Sequence, residues 1–238
     1  MIAIGNFFFK YRNWLFILFY GTLFLPSPPL FTEATWGKGA FWIPVIAGLL
    51  ISLKGQFLRG LTIGLTQIIR QGKDLKVYAE GLLTDRLYAH CRNPLYVANI
   101  LSLAGLGILA NSFWFVIIMI PFFIFVYESI VLAEENYLSK QYGQPYNQYR
   151  QDVPRWRFKI KGLWQMLNES AFDWRRYIQT EYTTLYIWLN GVLLTLLWKY
   201  PQLSQSDPDH RNKMMGWIIL ILGLVYLVVR YIRKNFLK

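Results

Sequence analysis

One cysteine, Cys91, stands in the whole chain, which excludes an intrachain disulfide and a cysteine-based metal cluster. Histidine is nearly as scarce. His90 and His210 do not make a zinc site together, so no metal is expected. Charge is thin as well: 16% of residues are Asp, Glu, Lys or Arg, where a soluble domain of this length carries roughly a quarter. The sequence has no internal repeat and no low-complexity segment.

What fills the space is apolar. Hydrophobic residues make up 55% of the 238, aromatics 18%, and mean hydropathy is +0.27. They gather in uninterrupted blocks of membrane-spanning length rather than at amphipathic spacing. The expected fold is therefore all-α, a polytopic membrane helix bundle of about six transmembrane helices with no separate soluble domain. The net charge of +12 has two readings. A nucleic-acid protein clusters its Lys and Arg on a soluble module, and none is present. A membrane protein concentrates them in cytoplasmic loops. The second reading is the one adopted, with the lipid bilayer and no nucleic acid as partner.

The expected spans are residues 14–25, 39–58, 95–109, 113–132, 184–198 and 215–231. The first follows Lys10 and Arg12 and could be a signal peptide. It runs into Pro26-Ser27-Pro28-Pro29 without a small-residue cleavage site, so a retained helix beginning near Phe7 is preferred. Leu61, Leu65, Ile68 and Ile69 recur at helical spacing, extending the second span or lying in the interface. The turn Ala110-Asn111-Ser112 forces the third and fourth spans into an antiparallel hairpin. Its open end then gathers Arg92 to Tyr96 and Glu128 to Glu135 at one membrane face. With six spans, the N-terminus, 59–92, 134–182 and the C-terminus share the basic side. The positive-inside rule puts them, and both termini, in the cytoplasm. That means the cell membrane in a prokaryote and the endoplasmic reticulum in a eukaryote.

The residues that could carry chemistry lie at this open end. Glu134 and Glu135 point about 100° apart on a helix, so they serve one ligand only if its pocket wraps the helix; otherwise they are a solvated helix end. Glu128 sits inside an apolar run on the face of Glu135, either functional or paired with a base on a neighbouring helix. Arg92 precedes Asn93-Pro94, a good N-cap and N1 pair, and its planar fork could grip a carboxylate bidentately. Gly105-Leu106-Gly107 has no strand–turn–helix context for a soluble dinucleotide fold; small residues in membrane helices usually mark close packing. Tyr142, Tyr146 and Tyr149 form either an interfacial aromatic belt or a pocket lid.

Taken in order, Arg92-Asn93-Pro94-Leu95-Tyr96, the glycine-bearing apolar run, Glu134-Glu135-Asn136-Tyr137-Leu138, Gly143-Gln144-Pro145-Tyr146-Asn147-Gln148-Tyr149 and Val153-Pro154-Arg155-Trp156 resemble the isoprenylcysteine carboxyl methyltransferase and phospholipid methyltransferase superfamily. The resemblance covers residues 80–157. It implies a membrane methyltransferase with S-adenosylmethionine (S-adenosyl-L-methionine) in a cytosolic-side pocket, and a lipid-like acceptor, carboxylate or amine. The chain is accordingly read in three regions: 1–79, two spans and a basic connection; 80–157, the methyltransferase-like catalytic core that carries the resemblance; and 158–238, an interfacial segment and a C-terminal hairpin. Arg92, Glu135 and Glu128 are the expected catalytic residues. Tyr88, Asn93, Pro94, Tyr96, Gly105, Gly107, Glu134, Glu135, Tyr146 and Tyr149 are the expected cofactor contacts. Asn93 stands where prenylcysteine enzymes usually have histidine, which argues against that substrate, although His90 is near. Two other readings stay open: a related membrane reductase using NADPH, and a non-catalytic binding or scaffold protein.

Overall fold

The computed structural model describes residues 1–66, 81–201 and 207–236. Among them the chain is helical, with no strand beyond an isolated bridge between Pro29 and Ser112. The principal helices are α1 (Ile2–Thr22), α2 (Glu33–Trp36), α3 (Trp42–Leu65), α4 (Pro94–Leu109), α5 (Ile120–Tyr142), α6 (Gln144–Asp152), α7 (Leu163–Glu169), α8 (Trp174–Lys199) and α9 (Pro208–Phe236). The all-α bundle expected from composition is what forms.

By length and composition, three of the described helices can cross a bilayer. Trp42–Leu65, Phe115–Tyr142 and Pro208–Asn235 are long and apolar enough to cross a bilayer. Helix α4 is apolar but has 16 residues, about 24 Å against a hydrocarbon core of about 30 Å. Helix α1 carries Lys10 and Arg12, and α8 carries Arg175, Arg176 and Glu181. Helix α3 runs past residue 58 through Leu61 to Leu65, so the second span is extended as its periodicity suggests. Ile68 and Ile69 lie outside the described residues.

The hairpin is antiparallel, as its three-residue turn requires. Tyr96 meets Glu134, Asn99 meets Tyr127, and Gly107 faces Phe115. Asn111, at φ +50°, accepts from the backbone N–H groups of Leu30 and Phe31 and so fastens the turn to the 27–31 loop. Pro121 cannot donate within the next helix, and the chain absorbs this in a π-turn over Phe115–Met119.

The helices around the hairpin also run antiparallel to their partners. On α1, Gly5 touches Ser129 and Phe19 packs on Phe122 and Phe123 of α5. Between α3 and α8, Ser52 meets Trp188 and Arg59 meets Glu181. Between α8 and α9, Tyr182 stacks on Tyr226 and is bonded by Arg233. The start of α1, the ends of α3, α5 and α9, and the starts of α4 and α8 therefore share one end of the bundle. That is the end at which the basic segments are expected to gather.

The core is aromatic and aliphatic, centred on Phe9, Phe19, Leu103, Leu106, Phe115, Phe123 and Ile130. The most extensive contact is between α3 and α4, where small residues let backbones touch. A Cβ on Gly105 would lie 2.3 Å from Ser52 N, and one on Gly48 would lie 2.5 Å from Leu109 N. Ser52 and Gln56 add hydrogen bonds to Ser102 across this seam.

Candidate functional site

Pro94 starts α4 at its first turn, where a missing N–H costs nothing. Asn93 takes the N-cap position, but its amide donates 3.2 Å to the Arg155 carbonyl instead of accepting from the helix. The expected capping role is thus replaced by a tie to the chain that returns after α6. Further ties run along the same line. Arg92 N–H donates to Pro154 O at 2.9 Å, the Cys91 thiol reaches Arg155 O at 3.6 Å, and Lys159 N–H donates to His90 O at 2.8 Å. His90 Nδ1 lies 2.6 Å from the Lys159 carbonyl. Residues 153–159 form a strap over the loop that opens α4.

The strap brings Arg155 onto the carboxylates of α5. Its Nε and Nη2 bond the two oxygens of Glu135 at 2.9 and 2.7 Å, and its Nη1 bonds Glu128 at 2.7 Å. Trp156 Nε1 donates to the other oxygen of Glu128 at 2.8 Å. Glu128 and Glu135, two turns apart, do share a face, and Arg155 spans them. Its charge is held more firmly than that of a free arginine, first by the bonds to Glu135.

Arg92 approaches Glu135 from the other side. Its Nη1 is 2.9 Å from Glu135 Oε1, an ion pair by distance. The N–H is not aimed at that oxygen, however, so Nη1 and Nε remain buried without a hydrogen-bond partner. Geometry outranks distance for the directional part of this contact. Beside it opens a cavity of about 430 Å³ lined by Arg92, Asn147, Arg150 and Gln151. A buried guanidinium with donors to spare at the edge of a cavity can accept an anion.

Glu134 points to a separate partner. It is buried, and the Tyr96 hydroxyl donates to it at 2.6 Å. Tyr96 lies against Tyr127, whose hydroxyl accepts from Asn99. The two adjacent glutamates thus diverge as helix geometry demands. Tyr146 is buried with its ring 6.1 Å from that of Tyr149, and Tyr149 donates to the Tyr88 carbonyl at 2.8 Å. Burial, then the charge of Glu135, pushes the Tyr146 phenol up to about 12 despite Arg92 and Arg150. The phenols of Tyr88 and Tyr149 are also raised, first by burial. All three stay protonated at neutral pH.

Arg92, Asn93, Glu128, Glu135 and Tyr146 are thus gathered at one end of the hairpin, with Tyr88 tied in through Tyr149 and Glu134 through Tyr96. Gly105 and Gly107 are elsewhere. Gly105 lies about 16 Å along α4 from Pro94, pressed on the backbone of α3 at Ser52 and Gly48. Gly107 faces the Phe115 ring, at 2.3 Å from an added Cβ. Sequence reasoning sets Arg155 and Trp156 within a motif but gives them no role at the carboxylates. It also passes over Arg150 and Asn147, whose spacing with Gln151 puts them on one face of α6. The network of Arg59 with Glu181 and Asn99 escapes it too, although an arginine ending an apolar run is a usable signal.

Residues 45–145 match the family model described as "Phospholipid methyltransferase". The resemblance to the isoprenylcysteine and phospholipid methyltransferase superfamily is borne out over that span, which begins earlier than the motifs alone suggest and takes in most of α3. Two curated relatives are similar over 73 residues. One is the "Nickel-cobalt-cadmium resistance protein NccN" of Alcaligenes xylosoxydans xylosoxydans, 30% identical over 31% of this chain and 34% of that protein. The other is the "Cobalt-zinc-cadmium resistance protein CzcN" of Cupriavidus metallidurans, 29% identical over 31% of this chain and 33% of that protein. The matched stretch spans about a third of the length of these relatives. No solved structure matches.

Proposed function

We propose that this protein is a membrane-embedded methyltransferase that draws on S-adenosylmethionine and methylates a lipid-like acceptor. The family match over residues 45–145 supports the reaction class. The observation that carries the site is Arg92, whose buried Nε and Nη1 lack hydrogen-bond partners at the edge of the 430 Å³ cavity. These residues fit a cofactor bearing a carboxylate, an amine and ribose hydroxyls: spare guanidinium donors belong to a residue that lines the cavity, and Glu134 is a buried carboxylate next in sequence to the Glu135 that pairs with Arg92.

When bound, such a cofactor supplies a methyl carbon on a positively charged sulfur, so the acceptor's lone pair forms the new bond as the C–S electrons return to sulfur. The protein's part is alignment and exclusion of water. Arg92 orients a carboxylate, of cofactor or acceptor. Glu135 holds Arg92 and Arg155 in place, and Glu128 fixes the far end of Arg155 and Trp156. Glu134 binds an amine or a hydroxyl. It also receives the proton if the acceptor is an amine, whereas a carboxylate acceptor needs no base. Tyr88, Tyr146 and Tyr149, all protonated, wall the site. The basic segments gathered at this end favour the cytoplasmic side, beside the bilayer from which a lipid would enter. The metal-resistance names belong to the two relatives. Among the described residues no group of three His, Cys, Asp or Glu gathers to hold an ion.

Calorimetric titration of S-adenosylhomocysteine into the detergent-solubilised protein tests this reading. Binding to the unsubstituted chain, weakened at least tenfold in Arg92→Ala, is the expected result, since a hydrogen bond to a charged group contributes about 1.5–3 kcal/mol. A well-folded protein that does not bind would sink the reading. Binding by NADPH in its place would favour the reductase.

A further inference from the structure

Beyond Trp156 the strap changes character. Arg157, Lys159 and Lys161 alternate with Phe158 and Ile160, and all three basic residues are exposed. Among the described residues none of their charged ends has a carboxylate partner. The large apolar side chains beside them also face outward: Ile160 is 75% exposed, Trp164 74% and Trp174 66%. The acids of this stretch are engaged, Asp173 with Arg176 at 3.0 Å and Glu169 with Gln165 at 2.8 Å.

Nothing in the bundle needs this surface exposed. Its inner side is anchored: Lys159 is tied to His90, and Arg86 donates to Ser170 at 2.7 Å. Trp174 opens α8, so the surface lies where that helix enters the apolar part of the bundle. Unpaired cations interleaved with outward tryptophan and isoleucine match a negatively charged bilayer surface in both charge and polarity. We propose that residues 157–174 dock on anionic lipid headgroups, with Arg157, Lys159 and Lys161 pairing phosphates while Ile160, Trp164 and Trp174 enter the headgroup layer. The same strap carries Arg155 and Trp156 at its other end, so lipid docking on the outside steadies the grip on Glu135 and Glu128 inside. The inference stands independently of the methyl-transfer reading, because it concerns a surface outside the cavity.

The test uses the full chain in lipid nanodiscs. An environment-sensitive fluorophore is placed at the exposed position 168 through Asn168→Cys, with the unsubstituted chain as labelling blank. Discs of phosphatidylcholine alone are compared with discs in which phosphatidylglycerol is titrated in. The expected result is a blue-shifted, brighter emission as phosphatidylglycerol rises. In Arg157→Gln/Lys159→Gln/Lys161→Gln the apparent lipid association should fall by roughly one to two orders of magnitude, since each basic residue near an anionic surface contributes about a factor of five. Three results would overturn the proposal: the same emission in both kinds of disc, an anionic response that survives in the triple variant, or no response in either. The last would point to a soluble protein partner for the exposed tryptophans.

Discussion

Replacing Gly105 by alanine separates two roles that the sequence leaves entangled. A new methyl at this position would lie 2.3 Å from Ser52 N, 2.7 Å from Gly48 O and 2.7 Å from Ser52 Cα. All three are backbone atoms, so no side chain can rotate away. To reach an ordinary contact near 3.4 Å, α3 and α4 must part by about 1 Å. They are also locked on either side, by Gly48 against Leu109 and by Gly55 against Ser102. A 1 Å separation carries Ser52 Oγ–Ser102 O, now 3.2 Å, and Gln56 Nε2–Ser102 Oγ, now 3.1 Å, beyond hydrogen-bonding range. Overpacking costs about 1–3 kcal/mol and each interhelical bond about 0.6, so the loss is about 2–4 kcal/mol.

The assay is a thermal ramp in detergent with a thiol-reactive fluorogenic dye, for which the single buried Cys91 reports unfolding. Gly105→Ala should unfold several degrees lower while S-adenosylhomocysteine affinity in the folded protein stays within twofold. An unchanged midpoint with lost affinity would refute the packing argument and return Gly105 to the cofactor.

Four further outcomes concern the carboxylate cluster and its surroundings. Glu135→Gln leaves Arg155 and Arg92 without a buried counter-charge and should cost about 3 kcal/mol, at the low end for a broken buried pair because Arg155 keeps Glu128; a midpoint equal to the unsubstituted chain would contradict this. Glu128→Gln, in a pair whose side chains are 33% and 27% exposed, should cost about 1 kcal/mol or less, measured in the same ramp. Burial pushes the Cys91 thiol up to about 11, so in the native protein it should resist maleimide at pH 8 and modify readily once unfolded. A raised thiol favours the folded state below its ordinary range, and that contribution is lost as pH climbs toward 11; a denaturation midpoint insensitive to pH from 9 to 11 would count against it.

The helices, the hairpin and its polar end are legible in the sequence for physical reasons. Apolar blocks of spanning length have few alternatives, and a three-residue turn fixes the direction of the next helix. Glu128 and Glu135 can be placed on one face because helical spacing is rigid. Spacing cannot deliver a partner brought by tertiary folding. Arg155 lies 20 residues from Glu135 and 27 from Glu128, beyond a helix end, a second helix and an extended strap. Asn93 reads as a cap because local rules favour it there. The Arg155 carbonyl, supplied from 62 residues away, wins the competition. The pair Gly105 and Gly107 carries two meanings that composition cannot separate, and only the distance to Ser52 shows which surface Gly105 faces.

The same limit explains Arg59. It ends an apolar run, and such an arginine must find a counter-charge or water. Its partner Glu181 is 122 residues away on α8, outside the span matched by the family model. Glu181 Oε1 accepts from Nη2 at 2.9 Å, Oε2 from Nε, and Nη1 turns to Asn99. Asn99 then donates to Tyr127 at 2.8 Å, Tyr127 packs on Tyr96 with ring centroids 4.7 Å apart, and Tyr96 holds Glu134. The first half of α4 is therefore organised by polar contacts that run from α8 to the site, and its second half by small residues pressed on α3. A substitution at the glycine seam is felt as separation of helices. One at Glu181 leaves an arginine unpaired at the head of a chain that ends on Glu134. The two ends of a 16-residue helix thus answer to different physics. A change near Gly105 and a change near Asn99 should therefore be told apart by whether stability or ligand affinity moves first.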